Sequence, residues 1–133
     1  MIELLADTSF IIDVLVGDKT AIQKAREIED KGMPIMVSVI TLFELYVGIT
    51  LSKKASEEKN RINTVLESLP LLNFDLESSK EAGKIYGDKI NAGIKIDSED
   101  AMIAGIAKVK GVKVITRNLK HFQGIDGVTI EKY

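Results

Sequence analysis

The chain predicts an α/β fold, a three-layer α/β/α sandwich around a mainly parallel sheet of four to five strands. Two observations carry that expectation. Short apolar runs alternate with longer stretches whose apolar residues recur at helical spacing, and right-handed crossovers between parallel strands put helices on both faces of a sheet. The short runs are apolar at nearly every position rather than every second one, as in strands covered on both faces. A chain of 133 residues is long enough for one sizeable core and too short for two ordinary ones, so residues 1–133 are expected to form a single domain.

The first strand is read at 2–6, with Ile2, Leu4, Leu5 and Ala6, and it runs into Asp7, Thr8 and Ser9. Phe10, Ile11, Ile12, Val14, Leu15 and Val16 then make a short, almost wholly apolar helix that Gly17 and Asp18 stop. Thr20 is expected to cap a second helix with Ala21, Ala25 and Ile28 on its apolar face, ended by Lys31 and Gly32 with Pro34 just beyond. Ile35, Met36 and Val37 form a second strand, after which Ser38 or Thr41 caps a helix through Thr50. From Ser56, residues Ile62, Val65, Leu66 and Leu69 recur at helical spacing until Pro70 closes the element.

A third strand is read at 71–74. Asp75 caps the next helix, whose inner face is expected to be Ser79, Ala82, Gly83, Tyr86 and Ile90, ending near Ala92 and Gly93. After a loop at 94–96 comes a stretch at 101–107 that is apolar on nearly every side, with small residues that allow close backbone approach. It should be a central buried helix, ended by Gly111. A fourth strand at 112–115, a helical turn at 119–122 and a short edge strand at 128–130 complete the chain.

Bulk properties exclude several functions. No apolar run approaches the roughly 18 residues that span a bilayer, and Glu3 and Asp7 interrupt any signal-peptide pattern, so a cytoplasmic protein without membrane contact is expected. There is no cysteine, hence no disulfide, thiolate zinc site or cysteine nucleophile. A serine triad or zinc site would have to be built on His121, the single histidine, which reads as an ordinary partly exposed residue. Carboxylate chemistry is what remains. The formal net charge of −2 argues against a globally basic nucleic-acid binder, yet residues 101–125 hold no Asp or Glu and do hold Lys108, Lys110, Lys113, Arg117 and Lys120. Such a stretch is either a phosphate-contacting face or a solvated lysine surface.

In open parallel sheets ligands gather at the carboxyl ends of the strands. Asp7, Glu44 and Asn118 each follow a strand or lie near the start of the helix after one, and Asp100 opens the central helix. Each acid also has an ordinary role at a helix N-terminus: Thr41 to Glu44 fits a capping box, Asp97 and Asp100 fit N-cap and N3, and Asp7 fits a cap. Taken together, three carboxylates on one edge repel each other unless a cation neutralises them, and hard oxygen ligands suit magnesium or manganese. Competing uses of such a sheet fail. The first turn has no Gly-x-Gly-x-x-Gly, no phosphate-binding Gly-rich loop with Lys-Ser/Thr is present, and Asn73 and Thr116 stand where a receiver-like domain needs Asp and Lys.

Four short motifs in order, Leu5-Ala6-Asp7-Thr8-Ser9, Thr41-Leu42-Phe43-Glu44-Leu45, Asp100-Ala101-Met102-Ile103-Ala104 and Thr116-Arg117-Asn118-Leu119-Lys120-His121-Phe122, cover essentially the whole chain. In these the chain resembles the PIN-domain ribonucleases, particularly the small VapC-type toxins of toxin-antitoxin pairs. The resemblance implies a PIN-like sandwich with a Mg2+-dependent endoribonuclease site, Mn2+ substituting, at the carboxyl edge of the sheet. Asp7, Glu44 and Asp100 match the family's acids and would be the catalytic metal ligands. Thr8, Ser9 and Thr116 would orient them. Asn118 stands where the family often has a fourth acid, and an amide brings no charge to a second ion; Asp97 and Glu99 are the nearby acids that could compensate, both also fitted to surface capping. Metal-assisted attack of water on the phosphodiester is the implied mechanism, with one or more of Lys113, Arg117, Lys120 and His121 as RNA-backbone contacts, Arg117 the best placed. The resemblance further implies a homodimer and a small protein antitoxin, with Phe43, Tyr46 and the helix at 56–69 as contact surface or core. A PIN-like module that binds RNA or protein without cutting, and an RNA-processing nuclease without an antitoxin, are the alternative readings of the same motifs.

Overall fold

The computed structural model describes residues 3–133; Ile2, read as part of the first strand, lies outside the described residues. Five strands, β1 (Leu4–Ala6), β2 (Ile35–Ser38), β3 (Leu71–Leu72), β4 (Lys113–Thr116) and β5 (Ile130–Lys132), form one sheet in the order β3-β2-β1-β4-β5. Every neighbouring pair is parallel. The chain builds from β1 outward to β2 and β3, then returns to the other side of β1 for β4 and β5. The order therefore reverses at β1, and the crevice between the carboxyl ends of β1 and β4 is the place where such sheets bind ligands.

The three layers follow from the two-residue period of the strands. Leu4, Ala6, Val37 and Ile115 face one side, packed against α1 (Thr8–Leu15), α2 (Lys19–Asp30), α3 (Val39–Leu51) and α4 (Ala55–Leu66) through Phe10, Ile28, Leu45 and Ile62. Leu5, Met36 and Val114 face the other, packed on α5 (Leu76–Asn91), α6 (Ser98–Lys110) and α7 (Leu119–Phe122). The residues at 101 and 103–107 are all buried, so α6 is the central helix that its composition predicts. Among the described residues no helix is long and apolar enough to cross a membrane.

Three local expectations shift. Asp18, not Thr20, caps α2, its carboxylate accepting the Ala21 N–H at 2.9 Å; an Asp one residue before the helix accepts that bond as well as a Thr does. The buried face of α5 is Ser78, Ala82 and Ile85, while Ser79, Gly83 and Ile90 are exposed. Both sets have helical spacing, and only the docking of α6 selects between them. The last strand lies two residues later than its apolar pattern suggests and pairs with β4, Thr116 against Lys132.

Candidate active site at the carboxyl edge of the sheet

Asp7 is the first residue beyond β1. Its N–H donates to the Ile115 carbonyl at 3.0 Å, which places it against the end of β4. Its backbone is extended and it caps α1, as a strand-to-helix junction requires. The side chain is 1% exposed and fully engaged: Oδ1 accepts the Ser9 N–H and the Ser9 hydroxyl, the latter at 2.7 Å, and Oδ2 accepts the Thr116 hydroxyl. Thr116 Oγ1 in turn accepts the Asn118 N–H at 2.9 Å. Ser9 and Thr116 thus fix both oxygens of the carboxylate in orientation.

Glu44 is reached from the other side of β1. Ser38, at the end of β2, caps α3, so Thr41 lies inside the helix and the expected capping box from Thr41 to Glu44 does not form. The two instead share one helix face, three residues apart, turned to α1. The Thr8 hydroxyl donates to Glu44 Oε1 at 2.6 Å and lies 3.0 Å from the Thr41 hydroxyl. With its own proton on Glu44, Thr8 receives that of Thr41.

Asp100 is the third residue of α6, buried and held by an imidazole: its Oδ2 is bonded to His121 Nδ1. His121 is partly exposed, as expected, and its bond to Asp100 sets it beside the candidate acids. The sequence carries one signal for it: it falls three residues after Asn118, one helical turn beyond the end of β4. Asp97 is the N-cap of α6 by position, but its side chain makes no capping bond. Ligand atoms of Asp97, Asp100 and His121 all fall within 4.8 Å of one another, which makes them, among the described residues, the tightest gathering of possible metal ligands. Asn118 contributes its N–H to Thr116, and its side chain makes no cap bond to α7.

The acids feel each other electrostatically. Burial above all raises the pKa of Glu44, Thr8 opposes it, and repulsion from Asp100, Glu99 and Asp7 adds to it. Burial likewise raises Asp100, the His121 bond opposes it, and repulsion from Asp7 and Asp97 adds to it. Among the described residues, no Lys or Arg nitrogen lies within 4.0 Å of Asp7, Glu44 or Asp100. The donor set is hard, oxygen-rich and short of positive charge, which fits a divalent cation.

The basic stretch does not form one face. Lys108 and Lys110 lie in the last turn of α6, roughly 12–15 Å along the helix from Asp100, and pair with Glu81 and Asp75 at 3.1 and 3.5 Å. Lys113 begins β4, at the end opposite Thr116, and stands 3.9 Å from Glu131. The strand carries it roughly 10 Å from the end at which Arg117 stands. Arg117 is next to the site and pairs with Asp13 at 3.1 Å. Lys120 is exposed on α7. Asp13 itself escaped the sequence reading, although a lone acid inside the apolar run of α1 is the signature of a buried, paired carboxylate.

A three-layer parallel α/β protein with acids just after β1, on α3 and on α6, beside the strand-order reversal, has the form of a metal-dependent hydrolase with an acidic strand-edge site. The chain belongs to the PIN domain family, whose model matches residues 4–128. It is 27% identical over 133 residues to the tRNA(fMet)-specific endonuclease VapC of Salmonella typhimurium, covering 100% of this chain and 99% of that protein. It is 35% identical over 105 residues to ribonuclease VapC3 of Methanocaldococcus jannaschii, 78% of this chain and 97% of that one. The solved structure of DNA-bound VapBC from Salmonella typhimurium contains a chain that superposes with a TM-score of 0.87 at 27% identity, covering 99% of this chain and 98% of that one. The chain is a ribonuclease of the VapC type.

Proposed function

We propose that this ribonuclease hydrolyses RNA phosphodiester bonds at the carboxyl edge of β1 and β4, with Asp7, Glu44 and Asp100 as ligands of a Mg2+ ion that Mn2+ can replace. The reading is supported by the mutual repulsion of Asp7, Glu44 and Asp100, carboxylates from three separate elements, two of them with raised pKa values and none paired with Lys or Arg. When bound, the ion supplies Lewis-acid stabilisation of charge on the phosphate oxygens and a water of lowered pKa. Ser9 and Thr116 hold the Asp7 carboxylate in one orientation, Thr8 holds that of Glu44, and His121 holds that of Asp100. Asn118 adds no charge, and Asp97 with His121 offers the donors for any second ion. A site with an imidazole donor favours Mn2+ over Mg2+ more than carboxylates alone do.

RNA meets the site through Arg117 and Lys120. An apolar groove of about 690 Å³, lined by Val39, Leu42, Phe43, Tyr46, Leu66 and Leu71, receives an apolar segment of a small antitoxin. The VapBC complex among the structural neighbours supports a partner of this kind. A homodimer is proposed for the outer face of α3.

Asp7→Asn tests the site. The variant should keep the far-UV circular dichroism of the parent, lose Mg2+-dependent RNA cleavage by about a hundredfold or more, and lose the Mg2+ binding heat seen by titration calorimetry. Cleavage at the parental rate would refute the assignment.

A further inference from the structure

We infer that Asp13 and Tyr133 are positioning residues that hold the Arg117 guanidinium beside the acid site, where it takes a phosphate of the RNA; the inference rests on the nuclease reading above. Asp13 is 5% exposed inside the apolar run of α1 from Phe10 to Leu15. A buried carboxylate needs partners, and this one has two on a single oxygen: Oδ2 accepts the Tyr133 hydroxyl at 2.7 Å and lies 3.1 Å from Arg117 Nη1.

The geometry is fixed at both ends. Tyr133 follows β5 and Arg117 follows β4, and the two strands are paired with Thr116 opposite Lys132, so both residues leave the same sheet edge side by side. The Tyr133 ring stands edge-on to Phe10, centroids 4.9 Å apart, and Phe10 is 1% exposed. Arg117 directly follows Thr116, whose hydroxyl orients Asp7, so the guanidinium is anchored to the strand end that sets the central acid. Its side chain is 56% exposed, which leaves donors of its planar fork open to a phosphate.

This arrangement answers a problem of charge. An acid-lined site repels a polyanion, and a nearby arginine offsets that. A floppy arginine would lose rotamer freedom on binding, whereas one held in advance does not. The holding contact is a stable one: burial above all, with the bond to Asp13, pushes the Tyr133 hydroxyl well above its usual range, so it remains a donor at any working pH.

The test is binding of a short fluorescein-labelled single-stranded RNA of mixed sequence, measured by anisotropy with Mg2+ on an Asp7→Asn background that leaves the RNA intact. Arg117→Ala is expected to weaken binding about tenfold and to reduce the logarithmic salt slope by about 0.7, the share of one phosphate on a single strand. Tyr133→Phe keeps the ring on Phe10 and should weaken binding about fivefold, with no further loss when Arg117 is already alanine. In the free protein the Arg117 Nε–H resonance should be distinct in the parent and move to its exposed-arginine position in Tyr133→Phe. An equal loss from Tyr133→Phe in both backgrounds would overturn the positioning role, and full binding by Arg117→Ala would overturn the phosphate contact while leaving the acid site untouched. An unmoved Arg117 resonance overturns the holding contact with no RNA involved. RNA bound by none of the proteins would remove the nuclease reading and this proposal with it.

Discussion

At the scale of single residues, the site stores a cost that the fold carries in order to function. Glu44 and Asp100 have folded pKa values above their ordinary values of 4.5 and 3.8. Between the ordinary and the raised values the native state binds more protons than the unfolded chain, so stability falls as pH rises through that window and is regained on acidification. In EDTA at neutral pH, Glu44→Gln should therefore melt higher than the parent by a few degrees, keeping the Thr8 hydrogen bond while losing the repulsion. The margin should shrink as pH drops toward about 4, and a glutamine variant that melts lower at neutral pH would contradict the account. Legibility differs among these residues. Asp7, Glu44 and Asp100 are readable because acids at strand ends and first helical turns form a pattern, whereas the bond from His121 to Asp100 joins positions 21 apart on two different helices.

Elements add constraints that no single residue shows. Gly105, in the middle of α6, lies so close to α5 that an added Cβ would stand 2.7 Å from the Ser78 carbonyl oxygen and 2.8 Å from the Ala82 backbone nitrogen. Alanine would normally favour a helix interior over glycine by about 1 kcal/mol. Here the clash is with backbone that cannot step aside, so Gly105→Ala should destabilise by ~1–3 kcal/mol, read from urea unfolding; an unchanged midpoint would show the two helices to be looser than described. The same contact explains the misjudged face of α5. Ser78, Ala82 and Ile85 turn inward because Gly105 admits the helix backbone there, a fact about α6 that the local pattern of α5 does not contain. At the other edge, Lys24 reaches Glu131 at 2.6 Å and lowers its pKa, a tie between α2 and β5 that no local pattern announces.

For the whole molecule, the strand order decides what the edge can do. Because the chain reverses at β1, Asp7 lies between helices of both layers, and α3 and α6 deliver Glu44 and Asp100 from opposite faces of the sheet. The same layout leaves α3 on the outside, where Val47 and Leu51, 44% and 80% exposed, extend the apolar surface beyond the groove that Phe43 and Tyr46 line. An exposed apolar surface on an outer helix is the usual form of a contact surface. The proposed homodimer should therefore appear as a dimer by size-exclusion chromatography with light scattering at micromolar protein, and Val47→Glu, within that surface, should shift it to monomer without lowering the melting temperature by more than about two degrees. A parent that runs as a monomer would count against the dimer.

The sequence by itself determined the alternation of strands and helices, the helix ends at Gly17, Gly32, Gly93 and Gly111, the buried α6, and the three acids worth watching. These are local properties, set by periodicity, caps and composition over a few residues. Tertiary structure alone decided which side chains meet: His121 on Asp100, Thr8 on Glu44, and Tyr133 on Asp13 across 120 positions of chain. It also dispersed the basic stretch, sending Lys108, Lys110 and Lys113 to acids elsewhere and leaving Arg117 at the site. The reason is geometric: charge along a sequence says nothing of which end of a strand or helix a residue occupies, and only the register of β4 between β1 and β5 fixes that.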